Sequence, residues 1–190
     1  MTITAGIPTV NGRIMNPVEK DDWLNWQPDK RHMHTAIQEA IEAAADGEVP
    51  IGAVIVCGAR VIGKAHNQVE LLKNPTAHAE ILSITQAASA LGDWRLHNTV
   101  MYVTKEPCPM CAGAIVQARI PVVVWGMTDP QRGGAYSLFN VFDNPALNHR
   151  VRFFPEFLQD ECKNLVQAFF RDRRSCGGRP NGMASAPSSG

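Results

Sequence analysis

His78-Ala79-Glu80 and Pro107-Cys108-Pro109-Met110-Cys111 stand thirty residues apart, counted from the histidine to the first cysteine, and a fold that lets them share a metal ion must bring both to one point. One imidazole and two thiolates make three zinc ligands and leave a fourth position for water. A carboxylate two residues from the histidine is then placed to move that water's protons. The plainer alternative is a structural zinc knot. Such knots usually take four protein ligands, often in two paired clusters, whereas three ligands beside a glutamate suit an open, catalytic metal.

Periodicity says how the chain could deliver those residues. Met33, Ile37, Ala40, Ile41 and Ala44 recur at helical spacing and the run stops near Asp46-Gly47. Two apolar runs at 49–57 and 60–65, joined by Gly58-Ala59, predict an antiparallel hairpin. A second helix is expected over about 77–91, with Thr76 as its N-cap, and a third over 108–118. Strands follow at 99–104, 122–125 and, more briefly, 151–153. A last helix over 155–173 carries Leu158, Cys162, Leu165, Val166 and Phe169 on one stripe. Strands alternating with helices indicate an α/β sheet covered on both faces, with at least some parallel pairing. In this arrangement both halves of the metal motif begin helices. Proline is tolerated at a first helical position, so Pro107 and Pro109 place Cys111 in an opening turn, where the helix dipole favours thiolate.

Composition narrows the setting. The 190 residues fit one domain flanked by an N-terminal extension (1–30) and a Gly/Ser/Ala/Pro-rich tail (175–190) expected to be disordered, leaving 31–174 as the metal-bearing domain. Trp23 and Trp26 are expected to dock the extension on the domain beside its acidic patch (Glu19, Asp21, Asp22). Eighteen basic and eighteen acidic residues cancel, so any nucleic-acid site must come from local clustering. No apolar run nears the roughly 18 residues of a membrane span and no leader pattern opens the chain; cytoplasmic residence is the expectation. Two of five cysteines belong to the motif. Cys57 and Cys162 read as small core residues and Cys176 as an exposed thiol. His32, His34, His66 and His97 read as surface or satisfied polar groups.

His-x-Glu followed by Pro-Cys-x-x-Cys is the known signature of zinc-dependent base deaminases. Further stretches narrow it: Glu48-Val49-Pro50-Ile51-Gly52-Ala53-Val54, Tyr102-Val103-Thr104-Lys105-Glu106-Pro107, Asn148-His149-Arg150-Val151 and Phe169-Phe170-Arg171-Asp172-Arg173-Arg174. With them the chain from about 34 to 174 resembles the bacterial tRNA-specific adenosine deaminases, which convert the wobble adenosine of an anticodon to inosine. The resemblance implies a three-layer α/β/α sandwich with a mixed five-stranded sheet, of the cytidine deaminase type. It also implies one Zn2+ per subunit on His78, Cys108 and Cys111, and a homodimer acting on a tRNA anticodon stem-loop, with no DNA or membrane partner. Glu80 becomes the proton shuttle between water, the ring nitrogen and the departing ammonia. Asn67 resembles the asparagine that hydrogen-bonds the flipped base. Asp129 resembles an acidic residue near the target nucleotide's sugar and backbone. Phe170, Arg171, Arg173 and Arg174 resemble the C-terminal helix segment that meets the anticodon stem-loop.

Chemistry alone favours the last assignment too, since three arginines in four residues make a patch for phosphate contacts. A solvated helix end whose cations complement the dipole is the plainer reading. Thr128, Gln131 and Tyr136 depart from the family's usual small and basic residues in the loop after the strand that ends at Trp125. Two other functions compete. The same zinc chemistry can act on a free base or nucleoside of guanine or cytosine type, and a noncatalytic zinc scaffold subunit would ordinarily lack a glutamate at position 80.

Overall fold

The computed structural model describes residues 26–175 together with the backbone of two short strands, β1 (Thr9–Val10) and β2 (Arg13–Ile14), which pair antiparallel. The expectations for Trp23, the acidic patch, Cys176 and the rest of the tail lie outside the described residues. The described chain then runs α1 (Lys30–Ala45), β3 (Gly52–Cys57), β4 (Arg60–His66), α2 (Val69–Leu72), α3 (Ala79–Leu91), β5 (Thr99–Lys105), α4 (Pro109–Gln117), β6 (Val122–Met127), β7 (Arg152–Phe154) and α5 (Gln159–Ser175).

Five strands form one mixed sheet in the order β4-β3-β5-β6-β7. β3 pairs antiparallel with β4 and β5, while β5, β6 and β7 run parallel. The apolar runs at β3, β5 and β6 have no polar face because both faces are covered. Ala53, Ile55, Met101, Val103, Val123 and Trp125 meet α3 and α4 in one core. Their strand neighbours Val54, Val56, Val100, Tyr102, Val122 and Val124 meet α1 and α5 in the other. A period of two thus divides the same strands between two cores. The expected three layers are present, and Cys57 and Cys162 are both buried.

Trp26 reaches the second core with its ring 5.0 Å from that of Phe154, so this residue of the extension does dock. Ser175, expected in the tail, instead closes α5, its hydroxyl donating to Asp172 O at 2.9 Å.

Strand β3 begins at Gly52 instead of residue 49, and two helix starts differ from expectation for local reasons. Thr76 does not cap α3: its N–H and its hydroxyl both donate to Asn74 Oδ1 (2.9 and 2.8 Å), closing a local turn, and the cap position falls to His78. Pro155 does not start the last helix. Glu156 and Leu158 hold left-handed backbone angles (φ 62° and 56°), and Phe157 N–H bonds back to Trp125 O at 3.0 Å, which delays helical geometry to Gln159. This topology places the C-terminal ends of β4, β5 and β6 and the approach to β3 along one edge of the sheet, the edge at which open α/β folds bind ligands.

Candidate active site and metal centre

At that edge α3 and α4 begin beside each other. His78 is the N-cap of α3, with Glu80 in its first turn. Cys108 is the N-cap of α4, with Pro109 and Cys111 in its first turn. His78 Nδ1 lies 3.7 Å from Cys108 Sγ and 3.5 Å from Cys111 Sγ. Zinc bonds of roughly 2.3 Å to sulfur and 2.0 Å to nitrogen at tetrahedral angles require a separation of about 3.5 Å, so the donors already stand at the spacing one zinc ion needs. Glu80 is buried, and its Oε2 has no hydrogen-bond partner among the described residues. A buried orphan oxygen beside three ligand atoms fits a site built to receive a metal and its water.

The electrostatics of the trio are coupled. Cys108 is pulled down to about 4, chiefly by the hydrogen bond from Cys111 and, against its burial, by the bond with His78. The same bond and burial raise Cys111. The bond to Cys108 raises His78 despite burial. A proton therefore remains on the site that metal binding has to displace. Desolvation dominates at Glu80 and raises its carboxyl above the usual range, which suits a group that must both take and give protons near neutrality.

A loop after β6 closes one side. Glu106, buried at the end of β5, accepts from Asp129 N–H (3.0 Å), Tyr136 N–H (3.0 Å), Ser137 N–H (2.9 Å) and the Ser137 hydroxyl. Pro107 O accepts from Gly134 N–H (2.8 Å) and Ala135 N–H (3.2 Å). A Cβ at Gly134 would collide with Cys108 and Pro109, so only glycine lets this loop lie on the metal motif. Lys105 Nζ bonds Asp129 Oδ2 at 2.7 Å. Burial tends to raise Asp129, but the bond to Lys105 and its charge outweigh it and hold the carboxyl low.

A cavity of about 320 Å³ gathers Asn67, His78, Glu80, Cys108, Asp129, Phe170 and Arg173, within the size range of small-ligand sites. Cys111 is fully buried behind it. Arg171 and Arg174 are exposed on α5 and do not line it.

A family model described as MafB19-like deaminase matches residues 27–174. A tRNA-specific adenosine deaminase of Bacillus subtilis is 45% identical over 146 residues, spanning 77% of this chain and 91% of the relative. The chain belongs to the tRNA-specific adenosine deaminases. A solved structure from a study of A-to-I editing by tRNA:A34 deaminases superposes with a TM-score of 0.70 at 39% identity, covering 72% of this chain and 99% of that one. Guanine deaminase from Bacillus subtilis is more distant, with a TM-score of 0.52 at 29% identity over 82% of this chain and 99% of that one.

The departures noted in the loop after β6 do not reach the metal motif. Thr128 Oγ1 accepts from Trp125 Nε1 at 3.2 Å. Gln131 is exposed, and Tyr136 packs against Phe153 with the rings tilted by 40° (5.1 Å between ring centres) and about half its surface in solvent. His97 and His34 are exposed, and His32 packs against Tyr102 with the rings tilted. His66 lies among carboxylates: Glu39, Glu42 and His66 form a second cluster of potential metal donors, though the Lys64 ammonium already sits 2.6 Å from Glu39. Five charged lining residues of the cavity had no role assigned from sequence: Glu48, Glu70, Lys105, Glu106 and Arg132. For Glu48, Lys105 and Glu106 the one available signal was a charged residue beside an apolar strand run.

Proposed function

We propose that this chain hydrolytically deaminates adenosine to inosine at the wobble position of a tRNA anticodon. The observation that carries the reading is the buried, unpaired Glu80 oxygen beside a His78–Cys108–Cys111 donor set in one cavity. The same family bond to tRNA adenosine deaminases supplies the substrate class. Residues 31–174 are the catalytic domain in this reading, with Lys30 and Ser175 completing its first and last helices.

His78 Nδ1 and the two thiolates would hold zinc, which when bound supplies a Lewis acid that makes water a nucleophile near pH 7. The chain's own part follows from geometry. Glu80 takes one proton of the attacking water as its oxygen joins C6 of adenine, and delivers a proton to the ring nitrogen. It then takes the remaining proton from the new C6 hydroxyl and gives it to the amine as the C6–N6 bond breaks, so that water and adenosine give inosine and ammonia. The raised Glu80 carboxyl holds the proton between these transfers. Asn67 contacts the extracted base, and Asp129, held by Lys105, stands at the nucleotide's sugar and backbone. Phe170 and Arg173 offer a stacking face and a cation to the RNA, with Arg171 and Arg174 further along the same helix. A loop nucleotide is the least costly to unstack, which suits a chain with no net charge to hold a duplex.

The enzyme works as a cytoplasmic homodimer in this reading. Exposed Tyr136, Leu138, Phe139 and Leu147 cluster in the loop beyond the metal motif and supply an apolar surface for a second copy. No helix among the described residues is long and apolar enough to cross a membrane.

The test is turnover by zinc-loaded protein of an anticodon stem-loop carrying wobble adenosine, against free adenosine, cytidine and guanine. Inosine formed in the stem-loop supports the reading. Turnover of the free compounds alone replaces it with a free-base deaminase, and turnover of neither leaves the scaffold alternative.

A further inference from the structure

α1 ends in a Schellman turn: Asp46 is the C-cap, Gly47 holds φ 77°, Gly47 N–H bonds Ala44 O (3.1 Å) and Glu48 N–H bonds Ala43 O (2.9 Å). The residue after the glycine in this motif ordinarily packs an apolar side chain back on the helix. Here it is Glu48, a carboxylate only 2% exposed that lines the active-site cavity. A buried acid where local preference asks for a hydrophobe marks a function held against stability.

Both oxygens of that carboxylate are engaged. Glu48 Oε1 accepts from Leu71 N–H at 2.7 Å, tying down the short helix α2, whose own N-cap Gln68 makes no capping bond. Glu48 Oε2 accepts from Asn67 Nδ2 at 2.9 Å. Asn67 is itself buried, and its backbone is pinned by N–H to Ile51 O at 3.0 Å. No donor among the described residues meets Asn67 Oδ1.

We infer that Glu48 is the positioning residue for Asn67, fixing which end of its amide faces the substrate base; this rests on the reading of Asn67 as a base contact. An ionised carboxylate only accepts hydrogen bonds, so it selects the NH2 end of Asn67. The carbonyl oxygen and the second N–H are left, in one fixed order, for the base. The anchor is rigid because Glu48 is held by the end of α1 and its other oxygen by a backbone N–H that cannot reverse. A glutamine at position 48 would have to give its carbonyl to Leu71 and turn its NH2 toward Asn67, which would invert the amide that reads the base.

The experiment uses the full-length, zinc-loaded protein and an anticodon stem-loop with wobble adenosine, comparing wild type, Glu48→Gln, Asn67→Ala and the double variant for kcat, KM and bound zinc. Glu48→Gln is expected to keep its zinc and lose about tenfold in kcat/KM through KM, the loss that follows from mispairing one buried polar contact. The double variant should lose no more than Asn67→Ala alone, because Glu48 acts through Asn67. Losses that add, a Glu48→Gln defect confined to kcat, or an Asn67→Ala protein with normal KM each overturn the inference; the last also removes Asn67 from base recognition while leaving zinc-dependent turnover intact. Should Glu48→Gln not fold, hydrogen exchange of the Asn67 side-chain NH2 in wild type decides: protection is expected, and exchange at the rate of a free amide overturns it.

Discussion

His78 and Cys108 occupy the same station in two different helices: each is an N-cap residue with extended backbone angles (φ −76°, ψ 151° and φ −69°, ψ 171°), and neither side chain caps its own helix. That station normally holds Ser, Thr, Asp or Asn, whose oxygen accepts a first-turn N–H. The imidazole and the thiol turn instead toward each other, 3.7 Å apart, so two helix ends give up capping bonds and bring together donors that could hold a metal. Free N–H groups and aligned peptide dipoles at Cys108 in return favour the thiolate.

This trade predicts opposite effects on stability and on metal binding. Cys108→Ser restores a capping oxygen to α4 and removes a ligand. Its melting temperature in chelator should exceed that of chelated wild type by a few degrees, since a cap is worth about 1 kcal/mol and a domain of this size shifts by roughly 2–4 °C per kcal/mol. Added zinc should raise the wild-type transition and leave the variant's in place. Thermal denaturation with and without zinc measures both.

Glu80 is the second place where stability and function diverge. Its burial raises the carboxyl and leaves one oxygen unpaired. Glu80→Gln removes the desolvated acid while keeping the shape, so the variant should bind zinc, melt no lower than wild type, and lose roughly 10²-fold or more in turnover. Zinc content and inosine formation on one preparation check it, and near-normal turnover would remove Glu80 from proton transfer.

The residues that sequence reading could place are those whose chemistry is local. His78, Glu80, Cys108 and Cys111 declare themselves by identity and spacing, and each stands at the helix start that its neighbours dictate. The double-faced sheet was legible because β3 and β5 are apolar at successive positions, which a one-sided sheet does not need. Glu48, Lys105 and Glu106 were not legible as site residues. They join Asn67 and Asp129 only because the register sets Gly52 against His66 and Lys105 against Met127, aligning four chain segments at one sheet edge. Thr76 and Pro155 misled for a related reason. Each carries a strong local signal for a helix start, and each is overridden, by an Asn74 turn in one case and by the bond from Phe157 to Trp125 in the other.

Asp29 should give this protein an acid-sensitive anchor for α1. Its Oδ1 accepts from Arg31 N–H at 2.8 Å, and its hydrogen bonds with the Arg31 side chain and backbone hold the carboxyl at about 2, below the ordinary 3.8. A folded value below the unfolded one contributes stability that is complete above about pH 4 and is lost as pH falls toward 2. Asp29→Ala should therefore cost about 1 kcal/mol at neutral pH, most of it from the cap because the ion pair is largely exposed. The gap from wild type should close between pH 4 and 2 in urea titrations, and a gap independent of pH would show that Asp29 acts through packing.

Phe170 and Arg173 separate from Arg171 and Arg174 by position, and RNA binding should show it. The first pair lines the cavity, while the second stands exposed along α5 outside it. If the anticodon loop enters over Phe170, Phe170→Ala removes one stacking face, an effect of about 1–3 kcal/mol that salt does not change. Arg173→Ala should weaken stem-loop binding whatever the loop sequence and lower the slope of log K against log salt by about 0.7–0.9, the loss of one phosphate contact. Arg171→Ala should lower the slope by less, because an exposed guanidinium away from the cavity meets RNA only through the outer stem. Binding titrations across a range of salt concentrations decide it, and equal slopes for Arg171→Ala and Arg173→Ala would mean that the cavity mouth does not hold the RNA backbone.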